Sequence, residues 1–216
     1  FLIVMGSNKS NSDKEFTGDE GEESTATERK CSSDEVLKEQ LKADPSLRKR
    51  MDDIEEFTRR FKDNPDMGRL LTNGIIEIPV VFNVLYRTNA QNVSLAQLQS
   101  QIDVLNEDFA ATNADYNLTS TYNSVKSGNI SVRFVLDQVI RRSTSKTSWS
   151  TNNAMKKSAQ GIAPTSPTTK LNIWVCNMGG GILGYAQFPG GSSSTDGVVL
   201  DDNATGRTGT AAAPFN

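Results

Sequence analysis

The feature that most constrains this chain is a change of material near Gly74. Residues 1–74 carry 17 Asp/Glu and 13 Lys/Arg, so 30 of the chain's 49 charges fall in its first third. Residues 75–216 carry only 9 acidic and 10 basic side chains. They hold the β-branched and aromatic runs that suit a pleated, half-buried surface. The two stretches therefore read as separate units: a charged, helical N-terminal part, then a sheet-forming part. A length of 216 residues suits one medium domain with appendages.

Phe1-Leu2-Ile3-Val4-Met5-Gly6-Ser7 is apolar and then stops, far short of the ~20 residues that span a bilayer. It matches the end of a secretory signal's apolar core followed by small residues. The expectation is a signal-peptide remnant at 1–7 and a secreted or extracellular protein, with a frayed or artificial terminus as the plainer alternative. Within 8–30, Phe16 is the only large apolar residue. Such a segment buries too little surface to offset the entropy of ordering, so it is expected to be a disordered spacer.

Residues 31–62 predict two short helices. Ser32 and Glu35 fit a capping box, and Val36, Leu37 and Leu41 follow at helical intervals. Asp44-Pro45 ends that helix and starts the next, with Asp44 as N-cap and Pro45 in the first turn. Leu47, Met51, Ile54, Phe57 and Phe61 then form an apolar stripe, which must dock on something because so short a helix is not stable alone. Residues 63–74 combine one Pro, two Gly and several Asn/Asp, the composition of an exposed loop. Such loops are where chains are nicked, and Arg69 is the expected cut point.

Beyond Gly74, Pro79 places the start of a strand at Val80, running to Tyr86. Val80, Phe82, Val84 and Tyr86 share one face and Val81, Asn83 and Leu85 the other, so both faces should be covered. Ser94 caps a helix whose apolar residues are Leu95, Leu98, Ile102, Leu105 and Phe109. Further strands are expected at 129–138, around Leu171-Ile173-Val175, and at Gly197–Leu200, with a short helix at Thr151–Ala159. Strands separated by helices and long connections predict an α/β (α+β) layer with a mixed sheet.

The exclusions are sharp. The chain has no histidine. That removes a Ser-His-Asp triad, a Cys-His dyad, a His-ligated zinc and any imidazole acid or base within these residues. A net charge of −3 is no nucleic-acid footprint. Two cysteines make no disulfide-dense scaffold.

Three stretches carry a resemblance. They are the helix Gln101–Phe109, the strand Leu171-Asn172-Ile173-Trp174-Val175-Cys176, and Ile182-Leu183-Gly184-Tyr185-Ala186-Gln187-Phe188-Pro189-Gly190 followed by Asp196-Gly197-Val198-Val199-Leu200. In this order and spacing they resemble the pappalysin family of secreted zinc metallopeptidases, a branch of the metzincins. The resemblance implies a zincin-like upper subdomain at 75–216, a twisted, mostly parallel sheet of about four to five strands with backing helices. It implies a two-helix pro-segment at 31–73 that acts as an intramolecular inhibitor, with an activation loop at 63–74. In the family a His-Glu-x-x-His helix follows, whose histidines bind zinc and whose Glu is the general base. That motif is not among these residues, so the expectation is a chain cut before it and inactive by itself.

Cys31 is the residue through which the resemblance touches zinc. In the family's pro-segments a Cys ahead of two short helices looks able to occupy the metal's water position and keep the zymogen silent. Arg29 and Lys30 precede it, and Ser32 stands where the family has Gly. The alternatives are an exposed free thiol or a disulfide to Cys176. Val198, Val199 and Leu200 are expected to form the sheet edge that pairs antiparallel with a peptide or protein substrate, with Gly197 permitting close backbone approach; an ordinary strand is the other reading. Asp201-Asp202-Asn203 offers oxygens to a cation such as calcium, but reads first as a surface turn. Two functions remain: a secreted zinc metalloendopeptidase in latent form, or a non-catalytic extracellular α/β module that binds peptides or proteins.

Overall fold

The computed structural model describes residues 30–63, 74–118, 120–211 and 213, with no side-chain detail at 61–63. The expected signal remnant, almost all of the spacer and Arg69 lie outside the described residues.

Helix α1 (Ser33–Ala43) and helix α2 (Ser46–Asp63) come first. Strand β1 (Ile76–Tyr86), helix α3 (Leu95–Phe109) and strands β2 (Val132–Ser143), β3 (Leu171–Cys176), β4 (Gly184–Ala186) and β5 (Val198–Asp201) follow. The five strands form one sheet in the order β2-β1-β3-β5-β4. All neighbours are parallel except β4 and β5. The expected mixed, mostly parallel layer is what is observed.

The two faces of β1 explain the packing. Val80, Phe82 and Val84 join Leu98 and Ile102 of α3 with Phe134, Ile173 and Val175. On the opposite face Leu85 joins Trp149, Met155, Trp174, Cys176, Tyr185 and Val199, and Asn83 is fully buried. α3 covers the first face, while long connections fold over the second. Ser94 caps α3 as expected, its hydroxyl accepting the Gln97 amide at 3.1 Å.

Three local expectations are corrected. β1 begins at Ile76, ahead of Pro79; β3 joins it only from Val80 onward, so Pro79 sits where only β2 is paired. The segment 151–159 makes only a 3-10 turn at Ala154–Lys156, entered through a left-handed Asn153. The alternation of β2 breaks at Asp137, where the pairing with β1 slips by one residue between Val80 and Val81. That bulge lets both Leu136 and Val139 pack on the α3 face.

The sheet's two edges are treated differently. At β2 the Asn106 side chain donates to the Phe134 carbonyl at 2.9 Å and accepts the Phe134 amide at 2.7 Å, doing a neighbouring strand's work at one residue. At β4 the N-terminal unit itself lies along the edge.

Candidate functional site

The outer edge of β4 is filled by residues 30–33. Cys31 pairs with Gly184 in a parallel bridge. The Leu183 amide donates to the Lys30 carbonyl at 3.0 Å and the Ser32 amide to the Gly184 carbonyl at 3.2 Å. The next outward amide, that of Ala186, donates to the Ser33 hydroxyl at 2.9 Å. Ser33 begins α1, so the chain turns into a helix while its side chain supplies the acceptor a strand would have offered. The expected capping box is absent: Ser32 makes no side-chain cap and is buried. Its φ of −107° is open to any residue, so the missing glycine puts no strain on this passage.

The helices continue the contact. Val36 is 6% exposed and packs into the cluster that contains Tyr185 and Val199. Gln40 Nε2 donates to Gln187 Oε1 at 3.4 Å. Leu47, 2% exposed, and Arg50 lie against Gly190, where a Cβ would stand 3.4 Å from each. Arg50 Nε donates to the Gly190 carbonyl at 2.7 Å. The same guanidinium reaches Ser46 Oγ at 2.6 Å and Asp44 Oδ2 at 2.7 Å. Asp44 also accepts the Ser46 amide at 3.1 Å, which bears out its N-cap role. Hydrogen bonds from Ser46 and then Arg50 hold the Asp44 carboxyl below the usual carboxylate range. Only part of the expected α2 stripe docks: Ile54 and Phe57 stay exposed.

Beneath β4 lies a buried cation. Lys156, 2% exposed, has its ammonium 5.3 Å from the centre of the Trp174 ring and 5.0 Å from that of Tyr185. It donates to the Thr195 carbonyl at 2.7 Å. Burial pushes its pKa down to about 8, against the opposing pull of Asp196. The Tyr185 hydroxyl donates to Asn153 Oδ1 at 3.0 Å, and burial pushes its pKa well up. This cage is continuous with the edge, because Thr195 Oγ1 donates at 2.6 Å to the same Gln187 oxygen that Gln40 reaches. Sequence reasoning gave Lys156 and Ser33 no place in a site, and named Tyr185 and Ala186 only as part of the resemblance. A three-residue strand has no periodicity to read, and the pair Lys156-Lys157 among polar residues looks like surface.

The expected site residues fare unevenly. Val198, Val199 and Leu200 do not form the edge: β5 lies between β3 and β4, so both sides of its backbone are paired. Gly197 does permit a close approach, but to the protein's own backbone. Its φ is +121°, and a Cβ would stand 2.3 Å from the Asn172 carbonyl oxygen and 2.8 Å from the Trp174 ring. Cys31 is exposed and Cys176 buried, both free thiols, so the disulfide alternative is not formed. Cys31 Sγ lies 3.3 Å from Ser33 Oγ, while burial raises the Cys176 thiol's pKa well above its ordinary value.

Asp201 is a structural cap. It accepts the Met178 amide at 3.0 Å and the Asn203 amide at 3.1 Å. Burial, joined at Asp202 by the charge of Asp201, raises both carboxyls, that of Asp202 to about 7. Among the described residues no group of three His, Cys, Asp or Glu side chains could hold a metal ion. With no histidine in the chain, these residues do not fit a complete zinc site, and Cys31 is at most a single ligand to a metal held by others. Among the described residues no helix is long and apolar enough to cross a membrane.

No protein-family model matches this chain, and no curated protein sequence does. Solved structures do. A variant of Tannerella forsythia promirolysin is 36% identical, with a TM-score of 0.70, over 87% of this chain and 64% of that one. Mature Tannerella forsythia mirolysin in complex with a cleaved peptide is 39% identical, TM-score 0.63, over 67% of this chain and 59% of that one. Mirolysin in complex with a small compound is 40% identical, TM-score 0.61, over 66% of this chain and 58% of that one. Mirolysin is a metallopeptidase and promirolysin its zymogen. The chain spans about three fifths of the length of the structures it matches, and its fold is that of the corresponding part of the zymogen.

Proposed function

We propose that this chain is the pro-segment and upper subdomain of a latent zinc metalloendopeptidase of the pappalysin branch of the metzincins, secreted, with the zinc-binding histidines outside these 216 residues. The observation that carries the proposal is the occupation of the β4 edge by residues 30–33. An edge strand is where an extended peptide adds to a sheet through main-chain hydrogen bonds. The substrate edge is then Gly184–Ala186 in place of Val198–Leu200. The inhibitory segment runs parallel to β4, whereas a substrate would run antiparallel to it. A parallel segment presents its peptide bonds with reversed polarity, which explains how it fills the edge without being turned over.

The extent of the matches supports the same reading. The zymogen aligns with 87% of this chain and the mature enzyme with 67%. The difference is about the size of the N-terminal unit. Cys31 lies at the start of that unit, exposed and free, and is proposed to reach the metal of the whole protein. Arg69 is the proposed activation cut. Peptides and proteins are the proposed substrates.

The test is to read the transcript past Asn216 and to assay both forms. A His-Glu-x-x-His motif downstream, with chelator-sensitive peptidase activity that appears once the chain is cut near Arg69 and the freed unit is diluted away or degraded, is the expected result. Residues 1–216 alone are expected to bind no stoichiometric zinc and to cleave nothing. A stop codon directly after Asn216 would overturn the proposal and leave the second reading, a peptide-binding module that uses the same edge.

A further inference from the structure

We infer that residues 30–63 are a detachable ligand of the β4 face, and that after a cut between residues 64 and 73 they stay bound as a separate chain and release only on dilution. The inference deepens the proposed function in one respect, the regulation of the edge. It rests on the reading of this unit as removable, not on the reaction.

The turn of the unit is held by its own side chains. Asp44, Ser46 and Arg50 form a closed staple at the turn between α1 and α2. The Arg50 guanidinium that closes the staple also carries the Nε–H donated to the Gly190 carbonyl, so the hairpin and its grip on the domain share one side chain. The turn is therefore set before docking, which lowers part of the ordering cost of binding, while the helices themselves lean on the face they cover.

The face it meets is read chiefly through backbone. The Leu183 amide, the Gly184 carbonyl, the Ala186 amide and the Gly190 carbonyl each take a partner from this unit. Gly190, with φ at +95°, takes a backbone conformation that L side chains rarely adopt, at the point where α2 lies against the loop. Every one of these contacts lies within residues 30–50, clear of the 64–73 connection, so cutting that connection removes none of them.

Two apolar anchors, Val36 and Leu47, are buried. A standard stable interface engages roughly 20–30 residues a side, more than the residues named here on this unit. While the chain is intact, the short connection supplies an effective concentration in the millimolar range, which a cut abolishes. The same contacts thus give saturated occupancy before the cut and a concentration-dependent equilibrium after it. Cleavage alone does not clear the edge; dilution or destruction of the freed unit does.

The experiment keeps the whole chain and replaces part of residues 64–73 with the recognition sequence of a site-specific protease. Folding before the cut is checked by hydrogen exchange at Gly184–Ala186. After the cut, the expected result is co-elution of the two pieces at high micromolar concentration and progressive separation on dilution. Arg50→Ala should weaken the complex roughly tenfold. Its side chain is 43% exposed, so this change spares the core; Val36→Ala gives a second, apolar reading. Separation at every concentration from an uncut chain that was folded would overturn the inference. So would a complex that parts only in denaturant and ignores both substitutions. Neither result depends on peptidase activity, so an inactive downstream protein would sink the proposed function and leave this measurement untouched.

Discussion

The Ser33 hydroxyl accepts the Ala186 amide at 2.9 Å, one residue beyond the point where the backbone of the N-terminal segment stops pairing with β4. A side chain here completes an edge that the turning main chain can no longer serve. The amide it satisfies would otherwise face solvent or an incoming peptide.

Ser33→Ala should therefore expose that amide while leaving α1 helical. One lost hydrogen bond is worth about 1 kcal/mol, so exchange at the Ala186 amide should quicken about fivefold. Lys38→Ala, on the exposed face of α1, should leave that exchange as it was. Equal effects from the two substitutions would show that the segment docks through something other than this bond.

Much of the fold was legible because its long elements repeat. The stripe Leu98, Ile102 and Leu105 and the alternation of β1 recur often enough to reveal both a period and the buried faces. The site was less legible for the opposite reason. β4 has three residues, and its importance comes from sheet order, which no local pattern encodes. Val198–Leu200 read as an edge through the family resemblance, which matches residues and not strand order; the pairing of β4 on its outer side makes it interior. Cys31 was found through a motif, whereas Ser33 acts through a helix start that is also a strand end, and that double role has no sequence signature.

Gly197 offers a direct check on that correction. A Cβ there would stand 2.3 Å from the Asn172 carbonyl oxygen on a backbone with φ at +121°, a conformation L side chains rarely adopt. Gly197→Ala should destabilise the whole sheet by roughly 3 kcal/mol or more, visible as a lower urea midpoint. If the residue served only the approach of a substrate, stability would be unchanged and peptide binding alone would suffer.

Asp202 should make the protein less stable as pH rises through neutrality. Burial first, then the charge of Asp201, raise its carboxyl from 3.8 to about 7. The folded state thus holds a proton that the unfolded state has released across this window. Its contribution is complete below pH ~4 and is lost as pH climbs through ~7. Asp202→Asn should flatten the urea midpoint between these limits and exceed the parent protein at pH 8, by a few kcal/mol at most. A parent curve already flat from pH 4 to 7 would mean that the pair is solvated and ionised throughout.

Lys156 titrates in the opposite sense. Burial lowers its pKa from 10.5 to about 8, so between those values the unfolded chain binds more protons and stability should rise with pH. Below pH ~8 the full cost of enclosing the ammonium is present, offset in part by the aromatic faces of Trp174 and Tyr185 and by the Thr195 carbonyl. Two neighbours pull the other way. Cys176 and Tyr185 are both raised by burial, so above pH ~9 the folded state keeps protons that the unfolded chain gives up. The raw pH curve therefore mixes opposing trends, and the difference between the parent and Lys156→Met isolates the lysine. Met keeps the length and apolar character of the stem, and the variant should be the more stable by about 1–2 kcal/mol at pH 7. That advantage should shrink as pH rises from ~8 to ~10.5. A variant less stable at pH 7, with a deficit that does not vary with pH, would show that the ammonium's contacts with the rings and the Thr195 carbonyl outweigh its desolvation. The cage would then be a stabilising staple beneath β4.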